Sequence, residues 1–167
     1  MEALLGASVD DDTVSRDFAA WITPHLPAMA ALAARLAPQA DRDDVVQEAL
    51  VRAWRRRSTF DEERGTPRVW LLAIVADRAR RARTRSGRLS LVDVSAPGSD
   101  VDDGVDLDRA LSQLTERQQL AVALHYFVGL SVAETAKVMS CSAGTVKSTL
   151  YDARTRLGVL LEVTDER

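Results

Sequence analysis

The stretch that decides the fold is LTERQQLAVALHYFVGLSVAETAKVMSCSAGTVKSTLYDARTRL, residues 114–157. In it, Thr115 precedes Gln118 at the spacing of a capping box, a reciprocal pair of side-chain hydrogen bonds that opens a helix. Ser131 and Glu134 repeat this spacing sixteen residues later. The stretch therefore predicts one helix that begins after Thr115 and a second that begins after Ser131.

The end of the same stretch predicts a third helix. The first helix is expected to reach Phe127, because Gly129 is placed to end it. The short second helix is followed by a three-residue turn, 140–142, and by a longer helix from Ala143. One face of that longer helix carries Val146, Leu150, Ala153 and Leu157. A short helix, a tight turn and a longer helix form the geometry of a helix-turn-helix, whose second helix lies in the major groove of DNA.

The polar residues at the start of the third helix agree with this interpretation. Thr145, Lys147, Ser148 and Thr149 are of the types that bond phosphates and base edges. A helical hairpin without any DNA-binding role can show the same spacing, so the pattern alone leaves both interpretations open.

The N-terminal half is also expected to be helical. A helix over 15–36 is interrupted near Pro24 and Pro27, and a second helix runs over 42–56. The apolar face predicted for the second helix consists of Val46, Leu50, Ala53 and Trp54. Thr66 as N-cap and Pro67 in the first turn predict a third helix, which begins apolar and ends in the arginine-rich run 78–85.

The charge of the chain is strongly segregated, although the formal net charge is only −3. Residues 51–88 hold twelve arginines and four acids, whereas residues 89–108 hold six aspartates and no base. The region around 86–106 is also rich in Gly, Pro, Ser and Asp, which predicts a flexible acidic linker. We therefore expect an all-α protein of two small helical domains. The predicted boundaries are an acidic tail 1–13, a first domain 14–85, the linker 86–106, a second domain 107–161 and a tail 162–167.

Two charged groups each allow two interpretations. The arginines of 78–88 form either a solvated face or a surface for a polyanion, and the second is favoured because local acids are too few to neutralise them. Asp41, Asp43, Asp44 and Glu48 could hold a metal in a nuclease, but acids at a helix start are already explained by the helix dipole. Trp54 and Trp70 are expected in the core, and the role of Phe60 stays open.

Several classes of protein are disfavoured. One cysteine, Cys141, allows no internal disulfide and no cysteine cluster for zinc. His25 and His125 have no neighbouring Ser or Cys in a triad-like arrangement. The N-terminus does not resemble a secretory signal, and no apolar run is long enough to span a membrane. We expect a cytoplasmic, non-enzymatic protein without cofactor or metal.

Three runs together resemble the extracytoplasmic-function (ECF) sigma factors, the short members of the sigma-70 class. They are DRDDVVQEALVRAWRR (41–56), GTPRVWLLAIVADRARR (65–81) and the opening stretch 114–157. The resemblance covers about residues 14–160. It implies a sigma region 2, a linker and a sigma region 4 in a subunit that binds the RNA polymerase core and directs it to promoters.

The resemblance also implies a role for particular residues. Binding to the polymerase, through the clamp helices and flap, is expected to involve Asp44, Gln47, Glu48 and Arg52. Recognition and melting of the downstream (−10) element, where a flipped base is held, is expected of Phe60, Arg64, Arg68, Asp77, Arg78, Arg81 and Arg85. Recognition of the upstream (−35) element is expected of Ser142, Ala143, Gly144, Thr145, Lys147, Ser148, Tyr151 and Arg154. An anti-sigma factor is a further expected partner.

The chain departs from the family's pattern at five positions. Ala73, Ala76 and Asp77 replace two basic residues and an asparagine, which predicts unusual downstream readout. Thr149 and Asp152 stand where arginines are common, which predicts weaker attraction to phosphates. The alternative function is a stand-alone helix-turn-helix regulator, which would bind DNA without polymerase.

Overall fold

The computed structural model describes the backbone of residues 17–38, 40–89 and 103–165, and the side chains of 17–38, 40–85 and 107–161. All regular structure in these ranges is helical, as expected. The helices are α1 (17–22), α2 (Leu26–Leu36), α3 (Arg42–Arg56), α4 (Pro67–Leu89), α5 (Asp103–Ser112), α6 (Glu116–Val122), α7 (Val132–Met139) and α8 (Ala143–Asp165).

The N-terminal module is a bundle of α2, α3 and α4. Its interior contains Met29 and Leu32 from α2 and Leu71 and Leu72 from α4, all fully buried. A 3-10 turn, Thr23–His25, separates α1 from α2, so the interruption predicted near Pro24 is confirmed. Pro27 instead lies in the first turn of α2, where a proline costs no hydrogen bond.

The buried face of α3 differs by one residue from the face we predicted. Val45, Ala49 and Ala53 are buried, whereas the predicted Val46, Leu50 and Trp54 are half-buried at the edge of the core. Small residues at the centre of the contact allow the backbones of neighbouring helices to approach closely, and the larger side chains then cover the sides of the contact.

Local signals fixed the helix starts correctly. The Asp41 carboxylate accepts hydrogen bonds from the backbone N–H groups of Asp43 and Asp44 and so caps α3. Thr66 Oγ1 accepts from the Val69 N–H at the start of α4. Both predicted capping boxes, at Thr115 and at Ser131, are present with both of their hydrogen bonds.

The C-terminal module has a core of its own between α6, α7 and α8. Ala121 from α6, Ala136 from α7 and Val146, Leu150 and Ala153 from α8 are buried in it. The chain continues after α6 as a π-helical turn, Ala123–Phe127, in place of the α-helix expected there. Gly129 ends the turn at a φ of 79°, a left-handed conformation that glycine adopts without strain.

The helices on both sides of the predicted linker extend into its range. α4 continues through Ser86 and Gly87 to Leu89, and α5 begins at Asp103. One glycine inside a helix costs only about 1 kcal/mol, which the neighbouring helical residues can offset. Residues 90–102, which are the rest of the predicted linker, lie outside the described residues. So do the predicted acidic tail 1–13 and the last two residues, 166 and 167, whereas 162–165 are the end of α8.

The two modules share a core instead of standing apart. Leu124, Val128 and Leu130, from the C-terminal module, are buried in the same cluster as α2 and α4. At the edge of this contact the Arg68 guanidinium donates to the carbonyl oxygen of Val128. Beside it, a cavity of about 760 Å³ opens between the modules, bordered by Arg35 and by residues of α5 and α6.

Candidate nucleic-acid and protein interfaces

The exposed side of α8 is the first candidate surface. Lys147, Tyr151 and Arg154 follow one another at helical spacing along a stripe that borders the buried face of Val146 and Leu150. All three side chains are exposed, and Tyr151 is the most exposed large apolar residue among those described, at 63%. α8 therefore presents a base, an aromatic ring and a second base along one continuous stripe.

The turn before α8 fixes the orientation of this stripe. Ser140 ends α7 in the left-handed conformation, with a φ of 51°, and the chain then turns into α8. Ser142 caps α8, because its Oγ accepts from the Thr145 N–H at 3.1 Å and lies 2.8 Å from Thr145 Oγ1. Ser142, Ala143, Gly144 and Ser148 are exposed at this end of the helix. The predicted helix-turn-helix is thus present, and the residues expected to contact DNA at this end are exposed, except for the half-buried Thr145.

Thr149, one of the two departures from the family pattern in α8, does not weaken the exposed surface as we expected. Thr149 is only 9% exposed, and its hydroxyl donates to the Thr145 carbonyl oxygen at 2.8 Å. A residue at this position faces the core of the module, so an arginine there could not extend along the exposed stripe. The lack of an arginine at 149 therefore does not weaken this surface, whereas Asp152 does lie exposed on it.

The arginine-rich part of α4 is the second candidate surface, and its side chains are paired within the protein. Asp77 accepts from Arg78, Arg80 and Arg81 at 2.9–3.3 Å. Arg83 contacts Glu116 at 2.7 Å, and Arg85 contacts Glu48 at 3.1 Å. On α4 itself, Asp77 is shared by three arginines, and acids from α6 and α3 reach Arg83 and Arg85. These three carboxylates offset the five arginines only in part, so a polyanion partner stays a prediction.

Asp77 is the centre of this group. Burial raises the pKa of Asp77, but hydrogen bonds from Arg78, Arg80 and Arg81 outweigh burial and leave the pKa below its ordinary value. Asp77 is therefore an anion at neutral pH, and the Arg78 side chain beside it is only 16% exposed. Of the residues expected to contact the downstream element, Asp77 and Arg78 bond to each other, while Arg81 remains largely exposed.

Arg68 is the predicted DNA-binding residue that the structure covers most directly. Its guanidinium bonds to Val128 of the C-terminal module, and its buried Nε has no hydrogen-bond partner. The same charge acts on His25, whose pKa is lowered first by burial and then by Arg68. In this packed arrangement Arg68 belongs to the contact between the modules.

The loop before α4 brings aromatic side chains together. Phe60 and Trp70 pack with their ring centres 5.5 Å apart, and Trp21 lies 5.2 Å from Phe60. Phe18 and Trp54 extend this aromatic cluster, and all five rings are half-buried. Arg64, in the same loop, is largely exposed beside Asp61. Of the two tryptophans expected in the core, Trp70 packs half-buried against it, and Trp54 is half-buried within the aromatic cluster.

The outer face of α3 is the third candidate surface. Asp44 and Gln47 are exposed there, and Glu48 and Arg52 are half-buried. Val51 lies on the same face and is 51% exposed, so this polar surface also presents an apolar side chain. Val51 is not among the residues predicted from sequence, although its spacing of four from Gln47 and seven from Asp44 places it on the same face.

Three of the four acids considered as metal ligands have another partner in the fold. Asp41 caps the helix, Asp43 contacts Arg42 at 3.0 Å, and Glu48 contacts Arg85. Among the residues that the structure describes, no group of three or more His, Cys, Asp or Glu side chains is placed to hold a metal ion. Within those same residues, no helix is both long and apolar enough to cross a bilayer.

Comparison with known proteins assigns both modules. Residues 21–89 match the family model described as sigma-70 region 2, and residues 104–157 match the model described as sigma-70, region 4. The chain is 32% identical over 134 residues to the ECF RNA polymerase sigma factor SigL of Mycobacterium tuberculosis, covering 74% of this chain and 76% of SigL. It is 31% identical over 152 residues to EcfG of Rhodopseudomonas palustris, covering 85% and 83% of the two chains.

Solved structures agree with this assignment. The sigma factor RpoE of Bartonella quintana, in complex with the anti-sigma factor NepR, superposes with a TM-score of 0.71 at 28% identity, covering 89% of this chain and 98% of RpoE. CnrH in complex with the cytosolic domain of CnrY gives the same TM-score and identity. With both sigma-70 regions matched in order and relatives covered over most of their length, the chain belongs to the ECF RNA polymerase sigma factors of the sigma-70 family.

Proposed function

We propose that this chain binds the RNA polymerase core through the outer face of α3 and contributes promoter recognition through α4 and α8. The observation that carries the proposal is the exposed stripe of Lys147, Tyr151 and Arg154 on the second helix of a helix-turn-helix. In such a motif the exposed side of this helix enters the major groove, where basic and aromatic side chains contact phosphates and bases.

The α3 face supplies the part of the function that a stand-alone regulator lacks. Asp44, Gln47 and Val51 form an exposed surface that no other element of the described chain covers. Mixed polar and apolar faces of this kind suit a protein partner, whose apolar side chains would cover Val51. We assign this face to the clamp helices of the polymerase, and the C-terminal module to its flap.

Recognition of the downstream element is assigned to the loop around Phe60 and to the exposed arginines of α4. Arg64, Arg81 and Arg85 are accessible in the packed arrangement, whereas Arg68 is not. Contact between Arg68 and DNA therefore requires the modules to separate. The chain itself performs no catalysis in this proposal, and it acts in the cytoplasm with the polymerase.

We further propose that an anti-sigma factor binds this chain while the modules are packed together. Of the two solved relatives that superpose on the packed arrangement, RpoE is in complex with the anti-sigma factor NepR and CnrH with the cytosolic domain of CnrY. An anti-sigma factor that stabilises this arrangement would keep Arg68 away from DNA. Such an anti-sigma factor should compete with core for the chain, and transcription should fall as more of the chain is bound by it.

The test is run-off transcription with purified core and genomic fragments as templates. The wild-type chain should give discrete transcripts that core alone does not give, and K147A should reduce them several-fold. The chain's other lysine, Lys137, lies on α7 and provides the matched control K137A, which should leave the transcripts unchanged. Operator binding without any association with core would contradict the proposal and favour a stand-alone regulator.

A further inference from the structure

One ion pair joins the surface assigned to polymerase with the surface assigned to DNA. Arg85 Nη2 lies 3.1 Å from Glu48 Oε1 and 3.2 Å from Glu48 Oε2, although the two residues are 37 positions apart in the sequence. The Glu48 side chain is 40% exposed and that of Arg85 59% exposed, so both remain accessible to other partners. The pair is therefore a contact that a ligand of either surface can displace.

This pairing is specific to Arg85 among the described arginines of α4. Arg78, Arg80 and Arg81 pair with Asp77 on their own helix, and Arg83 pairs with Glu116 and Gln119 of the C-terminal module. Arg68 bonds to a backbone oxygen. Among the arginines of α4 whose side chains are described, only Arg85 pairs with a carboxylate of α3.

We propose that Glu48 is a positioning residue that couples polymerase binding to DNA binding through Arg85. In the free chain, Glu48 holds Arg85 and competes with DNA phosphates for its guanidinium. When a cationic group of the polymerase engages Glu48, Arg85 is released toward DNA. The coupling is reciprocal by thermodynamic necessity, so occupation of Arg85 by DNA must also favour the engagement of Glu48 by polymerase. This inference rests on the proposed assignment of the two surfaces.

The expected effect is modest. Exposed ion pairs contribute little to stability because water and salt screen them, and the strongest of them correspond to about five-fold in an equilibrium constant. We therefore expect the pair to change either affinity by about two- to five-fold at low salt, and by less at high salt. The Glu48–Arg85 pair would therefore make the DNA affinity of the polymerase-bound chain higher than that of the free chain.

The first arm of the test measures binding of the free chain to a single-stranded oligonucleotide of mixed sequence by electrophoretic mobility shift. E48Q should tighten binding about two- to five-fold relative to wild type. D17N removes one negative charge from an exposed position on α1 and reports the effect of net charge alone. In an R85Q background, the effect of E48Q should fall to that of D17N, because the partner is gone.

The second arm measures binding of the chain to core polymerase by surface plasmon resonance. R85Q should tighten core binding about two- to five-fold, because Glu48 no longer has an internal competitor. R80Q removes the same charge from the same helix but from a residue paired with Asp77, so it should leave core affinity unchanged. Equal thermal midpoints for these variants would exclude a change in folding as the cause.

The outcomes separate this inference from the proposed function. If the wild-type chain does not bind core, the assignment of α3 fails, and the coupling fails with it. If wild type binds core but R85Q binds it no better than R80Q, the coupling alone is wrong. An E48Q effect on DNA binding that persists in the R85Q background would likewise overturn it.

Discussion

The Arg35 guanidinium lies over the ring of Phe127, with its central carbon 4.0 Å from the ring centre. The same guanidinium donates to Asp108 Oδ1 at 2.6 Å. Arg35 belongs to α2, whereas Phe127 and Asp108 belong to the C-terminal module, so one side chain of the N-terminal module holds two residues of the other. A cation over an aromatic ring contributes about 0.5–2 kcal/mol, depending on its exposure.

Replacing Arg35 should therefore loosen the packing of the two modules. We expect R35A to lower the free energy of unfolding by about 1 kcal/mol and to increase the radius of gyration measured by small-angle X-ray scattering. R55A removes an exposed arginine from α3 and should change neither quantity. A radius of gyration for R35A equal to that of R55A would show that the shared core alone holds the modules together.

Val51 should contribute to polymerase binding without contributing to stability. Its exposure in the free chain means that V51D creates no buried charge, so the free energy of unfolding should stay within about 0.5 kcal/mol of wild type. Core affinity should fall about ten-fold, since a charge would be forced into an apolar contact of about 1–2 kcal/mol. V159D, at an equally exposed valine on α8, is the control for surface plasmon resonance. Equal core affinities for the two variants would count against this surface.

Asp77 should restrain non-specific DNA binding. D77N removes the carboxylate that holds Arg78, Arg80 and Arg81, so the free chain should bind DNA more tightly and with a steeper salt dependence than D17N does. The variant should also lose about 1–3 kcal/mol of stability, because the largely buried Arg78 loses its charged partner. Mobility shifts at several salt concentrations and urea unfolding measure the two effects. Unchanged DNA affinity would show that the three arginines do not face DNA.

His25 should make the stability of the chain depend on pH. Its lowered pKa, caused by burial and then by Arg68, means that the folded state takes up a proton less readily than the unfolded state. The unfolded histidine binds a proton near pH 6.5, so stability should fall as the pH decreases below about 7. H25Q should show a smaller loss between pH 7 and pH 5 in urea unfolding. An identical pH dependence for H25Q and wild type would exclude His25 as the source.

The features that sequence could predict are those set by residues close together in the chain. Both capping boxes and the turn 140–142 depend on side chains within three or four positions of their partners, and they appear as expected. The buried face of α3 was misplaced by one residue because 45/49/53 and 46/50/53 both follow a helical period. Only packing against α2 and α4 selects between these two faces.

The pairing of the arginines could not be predicted for a related reason. Glu48 and Glu116 reach Arg85 and Arg83 from helices far away in sequence, so a count of neighbouring acids overlooks them. The shared core is a similar case. From the sequence, Leu124 and Leu130 could equally be buried in a core of the C-terminal module. Neighbouring residues in the sequence do not indicate that they pack on α2 and α4.

The aromatic cluster gives the protein an intrinsic optical label. It contains Trp21, Trp54 and Trp70, the three tryptophans of the whole chain, whereas both tyrosines, Tyr126 and Tyr151, lie in the C-terminal module. Tryptophan emission therefore arises in the N-terminal module alone, and energy transferred to it from tyrosine must cross from one module to the other. Separation of the modules thus becomes visible in the fluorescence of the unmodified chain.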